Sequence, residues 1–202
     1  VPDLRLADAV RRLIAQAVGS QAPPEELEAT VAELEAIAER LEAAPRRPDK
    51  VPTLPDLREL KTAFAADPIV GARNPLAPPV DAWIEGHEVH ARATFGRQYE
   101  GPPGYVHGGV IAGVFDMICG LANLASGNHG MTGTLTIRYL RPTPLHTEIL
   151  MEASAVGREG RKNFVSARFL NGTKVTAEAD GLFIELGERH AQEYFTRAAD
   201  LA

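Results

Sequence analysis

His107, Gly108, Gly109 and Asp116 stand out as a possible reactive group. They lie in the stretch GPPGYVHGGVIAGVFDMICGLANLAS, residues 101–126. It reads as a glycine-rich turn running into an apolar helix, and between Gly108 and Ala122 the single charged side chain is Asp116. A helix N-terminus presents backbone N–H groups without partners and the positive end of the helix dipole. Two glycines let a ligand touch that backbone. Such donors stabilise an oxyanion developing from a carbonyl. Asp116 follows about two turns later and is placed to act as base or nucleophile toward the same carbonyl carbon. Packing offers a plainer account. There, His107 caps the helix, the glycines allow close contact, and Asp116 accepts a hydrogen bond from a strand.

The helix must hold these groups against something. At 100° per residue, Ile111, Val114, Phe115, Ile118, Leu121, Ala122 and Ala125 share one face, which should pack on a sheet. Asp116 falls on the other face with Gly109, Ala112, Gly113, Gly120 and Asn123. Those neighbours are small, so a second backbone or a ligand is expected close to Asp116.

The sheet is legible on either side. Asp81–Phe95 reads as two strands around a turn at Gly86. After the helix come Met131–Leu140, Glu148–Val156, Asn163–Leu170 and Lys174–Leu186. In the first of these, Met131, Leu135, Ile137 and Tyr139 alternate with Thr132, Thr134, Thr136 and Arg138. Asn171–Gly172 is a strong hairpin signal. The order β-β-α-β-β-β-β implies an α+β domain, an antiparallel sheet with one helix on it. Its expected extent is 80–187, followed by a tail, 188–202, that reads as a short helix or a frayed end.

Before this domain, 1–45 reads as a helical extension. Leu4–Val18 has a helical period, and Leu27, Val31, Leu34, Ala38 and Leu41 form a stripe spaced by four and three, as in a helical hairpin or a coiled-coil seam. Core packing is its plain explanation, and a docking helix is the other. Eight prolines between Ala44 and Pro79 mark 46–79 as a linker or a surface arm, with a short helix near Leu57–Ala65.

Composition narrows the functional classes. The formal net charge is −6. Val1–Pro45 has nine acids and four bases, a net of −5, so the remainder is nearly neutral and no nucleic-acid footprint exists. No run of about 18 apolar residues suggests a membrane span. The first residues lack a signal-peptide layout. The single cysteine, Cys119, excludes an internal disulfide framework and a cysteine-based zinc cluster. A cytoplasmic setting is expected. The histidines show no metal-ligand spacing, and no metal or cofactor is called for.

The motifs GPPGYVHGGVIAGVFDMICG, MTGTLTIRYLRPTPL and GREGRKNFVSARF together resemble the hotdog-fold acyl-CoA thioesterases of the phenylacetate type (PaaI-like), in the subgroup carrying GPPG. The resemblance covers Asp81 to Leu186. It implies a curved antiparallel sheet around a central helix, and a dimer or higher homo-oligomer with sites at the subunit interface. It implies that Asp116 is the catalytic carboxylate, that the Gly108 N–H faces the thioester oxygen, that His107 shapes the site, and that Thr132 supplies a hydroxyl. Some relatives carry an asparagine six residues before this histidine, where Gly101 stands here. An anionic CoA tail needs cations, for which Arg138, Arg141, Arg158, Arg161 and Lys162 are candidates, and Gly109 is a further candidate for substrate binding. The expected activity is thioester hydrolysis. A non-catalytic acyl-CoA or acyl-carrier binding module is the alternative, and a hotdog hydratase a third reading.

Overall fold

The computed structural model describes residues 1–45 and 64–187. Two helices open the chain, α1 (Pro2–Gly19) and α2 (Pro24–Glu42), each with proline in its first turn. There the missing N–H costs no hydrogen bond. The domain follows as β1 (Asp81–Glu85), β2 (Glu88–Thr94), α3 (Gly108–Ala125), β3 (Gly130–Tyr139), β4 (Glu148–Glu159), β5 (Lys162–Asn171) and β6 (Lys174–Glu185). The expected helix at 57–65 lies almost wholly outside the described residues, as does the tail 188–202.

The six strands form one antiparallel sheet in the order β1-β2-β4-β5-β6-β3. Turn chemistry sets the registers. Gly86 takes φ 64° between β1 and β2, and Gly172 takes φ 58° between β5 and β6. Asn171 pairs with Lys174, so the two loop residues are Gly172 and Thr173 rather than Asn171 and Gly172. Glycine at the first loop position is the type II′ layout.

The inner face of the sheet mixes large and small side chains. Ala91, Ala93, Ala153, Ala167, Ala177 and Ala179 are buried there beside Ile149, Met151 and Phe169. The alanines let the sheet curve close around α3, and the large residues fill the remaining space. From the helix, Ile111, Val114, Phe115, Ile118, Leu121 and Ala122 are buried against them, and the Phe115 and Phe169 rings lie 4.4 Å apart. This is the hotdog fold. By length and mean composition α3 is apolar enough to cross a membrane, although Asp116 and Asn123 interrupt its apolar run. The sheet accounts for that apolarity, because α3 is the core helix.

Residues 64–80 lie over the domain and bury Ala65, Val70, Ala77 and Val80. The inner face of α1 is fixed on this segment. Ala7 is buried, and the Arg11 guanidinium donates to the carbonyls of Ala77 and Asn74. By contrast, no side chain of α2 is buried.

Candidate active site

The turn before α3 is built from glycine and proline for identifiable reasons. The Tyr105 N–H donates to the Pro102 carbonyl at 2.9 Å, and Gly104 takes φ 82°. Proline then glycine at the centre is the type II layout. The Gly104 N–H donates to Glu100 Oε1. A Cβ on Gly101 would stand 2.8 Å from the Cα of His107. An asparagine, as some relatives have, would therefore require this turn to shift.

His107 is the N-cap of α3. Its Nδ1 accepts from the Gly109 N–H at 2.9 Å, which places the ring proton of the neutral form on Nε2. Val110 and Ile111 donate to the His107 carbonyl. The Gly108 N–H is different, since among the described residues it has no hydrogen-bond partner. Of the two glycines, Gly108 keeps an open donor and Gly109 spends its own on the cap.

Asp116 is exposed, and its Oδ1 accepts from the Thr132 hydroxyl at 2.8 Å. Strict alternation along β3 places Thr132 opposite Leu135 and Ile137. The structure corrects this. The register between β3 and β6 shifts between Thr132 and Thr134, so Gly133 is an extra residue. Thr132 pairs with buried Phe183, and Leu135 pairs with buried Gly181, so Thr132 shares the helix-facing side. The bulge turns this hydroxyl toward Asp116. An isolated glycine in a strand pattern was the available signal.

Tyr139 is the contributor that the sequence reading left without a role. Its hydroxyl donates to the Gly108 carbonyl at 2.9 Å, so β3 holds the helix at both site positions. The small face beside Asp116 is partly filled from within the chain, because a Cβ on Gly113 would meet Ile69 at 2.8 Å.

The candidate cations are distributed unevenly. Arg138 projects to the outer side of the sheet and is bound by Asp180 at 2.9 Å and Glu178 at 3.3 Å. Arg141 donates to the Val175 carbonyl, near the Tyr139 end of β3. Arg158 pairs with Glu185 and Asn128, and Arg161 donates to the Glu185 carbonyl. Lys162 is exposed beside them and pairs with Ile184 in the β5–β6 register. Its neighbour Asn163 is in the same cross-strand row as Phe183 and Thr132. The Arg161–Lys162 turn is therefore at the Asp116 end of the sheet.

Sheet, core helix, open N-terminal donor and tethered carboxylate together define a hotdog-fold protein with a helix-borne acidic site. The thioesterase superfamily profile matches residues 103–178. A crystal structure of a thioesterase superfamily protein superposes with a TM-score of 0.81 at 33% identity, covering 91% of this chain and 90% of that one. The chain belongs to the thioesterase superfamily. Over 93 residues it is 38% identical to acyl-coenzyme A thioesterase THEM4 of Mus musculus, covering 45% of this chain and 40% of that protein. The Xenopus laevis THEM4 match is 37% identical and covers 45% and 42%. The chain thus spans less than half the length of these curated relatives. A Streptococcus mutans protein solved bound to acetyl CoA shares the fold, with a TM-score of 0.51 at 23% identity over 54% of this chain and 89% of that one.

Proposed function

We propose that the protein hydrolyses acyl-CoA thioesters, R–CO–S–CoA + H₂O → R–COOH + CoASH. The observation that carries this reading is the pairing of a Gly108 N–H at a helix N-terminus, unpartnered among the described residues, with an exposed carboxylate, Asp116, oriented by Thr132. The Gly108 donor suits the thioester oxygen as negative charge develops on it. Asp116 either takes a proton from water or attacks the carbonyl carbon to form an anhydride that water then opens. CoA is the chosen carrier because the curated relatives are named acyl-coenzyme A thioesterases.

One chain cannot supply both groups to one carbonyl. Eight residues at about 1.5 Å each separate them by roughly 12 Å along the helix, whereas a reacting group must lie within about 3 Å. β3 suggests the solution. Among the described residues it is a ten-residue edge strand with one side unpaired, and an unpaired edge invites a second strand. Antiparallel pairing with its own copy sets the Tyr139 end, which holds Gly108, beside the Thr132 end, which holds Asp116. The proposed enzyme is a homodimer whose sites combine Gly108 with Asp116 of the partner subunit. The same pairing brings Arg141 toward the partner's Arg161 and Lys162 as a rim for the CoA phosphates.

A panel of acyl-CoAs, with released thiol read by a chromogenic disulfide, tests the activity and identifies the acyl class. Asp116→Asn keeps the shape and should lower turnover at least about a hundredfold while retaining fold and CoA binding. Binding without hydrolysis of any panel member by the wild type would instead favour a non-catalytic acyl-CoA module.

A further inference from the structure

We propose that α2 of one protomer lies parallel along the outer face of α1 in a second copy of this chain, forming a short two-stranded coiled coil. The inference goes beyond the thioesterase reading and does not rest on it. Its starting point is that α1 has two faces. The inner one is occupied, with Ala7 buried and Arg11 bound to the carbonyls of Ala77 and Asn74. The outer one carries Leu6, Ala9 and Leu13, spaced three and then four apart and all exposed. A groove of about 820 Å³ runs beside α1 toward Gln98 of the domain and is lined by Arg5, Leu6, Asp8, Ala9 and Arg12.

α2 has the matching half. Leu27, Val31, Leu34 and Leu41 are exposed along its stripe, with Ala38 between the last two. Apolar residues at this alternating spacing fit a second helix of the same spacing, knob into hole.

Charge complementarity identifies that helix and its direction. On α1, Arg5 and Arg12 stand seven apart, each just before a stripe leucine. On α2, Glu28, Glu35 and Glu42 stand seven apart, each just after a stripe leucine. In a parallel coiled coil the flank before the first apolar position of one helix faces the flank after the second apolar position of the other. Setting Leu6 against Val31 aligns Ala9 with Leu34 and Leu13 with Ala38. It also places Arg5 beside Glu35 and Arg12 beside Glu42. Other arrangements lose this match. The short connection at residues 20–23 would force α2 to run antiparallel on its own α1, which faces the arginines toward Thr30 and Ile37. Two α2 helices packed antiparallel would set glutamate against glutamate.

The test uses the full-length chain. Two forms are co-expressed, one carrying Leu13→Cys and the other Ala38→Cys, distinguished by a tag. Oxidation should link one form to the other, and neither should link when expressed alone. Adding Arg5→Glu and Arg12→Glu to the first form should cut the linked fraction at least about fivefold, since like charges then face each other. Adding Glu35→Arg and Glu42→Arg to the second form should restore it. Raised salt should weaken the wild-type pairing, because exposed charges are screened over about 8 Å at physiological ionic strength. Absence of the link, linkage of either form expressed alone, or indifference to the charge reversals would each overturn the proposal.

Discussion

Cys119 lies one helical turn beyond Asp116, fully buried in α3. Burial, followed by the nearby charges of Asp116 and Asp180, pushes its thiol up to about 12 from an ordinary 9.0. It is therefore a packing group and not a nucleophile. It should stay silent toward a chromogenic disulfide at pH 8 until urea unfolds the protein, so it does not obscure thiol released from CoA. The linkage has a definite sign. The unfolded thiol ionises near pH 9 and the folded one near 12, so the stability it contributes is complete below pH 9 and is lost as the pH rises toward 12. Urea unfolding at pH 8 and pH 10.5 should show the wild type losing more stability than Cys119→Ala. Equal losses would mean that the thiol is more accessible than its packing implies.

At the scale of elements, α3 begins where it does because several constraints meet at His107. Its ring caps the helix, its N–H donates to the Tyr99 carbonyl, and Gly101 leaves room for its backbone. His107→Ala should cost about 1 kcal/mol of stability, the usual loss for a cap, and His107→Asn should recover most of it. The urea midpoint measures this. An unchanged midpoint for the alanine variant would show that the glycine turn alone sets the helix start. The Gly133 bulge is a second device of this kind, because one extra residue in β3 changes which side of the sheet Thr132 faces.

At the scale of the molecule, two expectations depend on assembly. If each site takes Gly108 from one subunit and Asp116 from the other, co-expressing Asp116→Asn with Gly108→Val should rebuild one intact site in every hybrid dimer. Purified hybrids should then show roughly half the wild-type turnover, although each parent is far below it. Hybrids as inactive as the parents would place the whole site within one chain. The second expectation concerns the rim. Replacing Arg161 and Lys162 with alanine should raise KM for short and long acyl-CoAs alike and leave kcat nearly unchanged, the pattern of lost uniform binding. An acyl N-acetylcysteamine, which lacks the nucleotide, should not respond. Equal loss on that truncated substrate would mean that the turn supports the fold, as the Arg161 bond to the Glu185 carbonyl already does in part.

Most of what is local can be read from residue order alone. Six strands and a core helix follow from alternation, from the 3.6-residue period, and from glycine at positions where φ is positive. Asp116 stood out because one carboxylate among apolar and small residues has to be explained. The glycine turn marked the helix start for the same physical reason that it opens a donor there. Other features were set by pairing between distant segments, which no local pattern contains. The bulge that carries Thr132 to Asp116 depends on the register with β6. Tyr139 reaches the Gly108 carbonyl only because β3 runs beside α3. Ile69 fills the space at Gly113 because residues 64–80 fold back over the helix. Arg138, an unremarkable cation in the sequence, meets Asp180 and Glu178 because the strands that carry them are neighbours. Local chemistry selects each element and its buried face. Tertiary contact decides which polar side chains meet, because their partners lie tens of residues away in the chain.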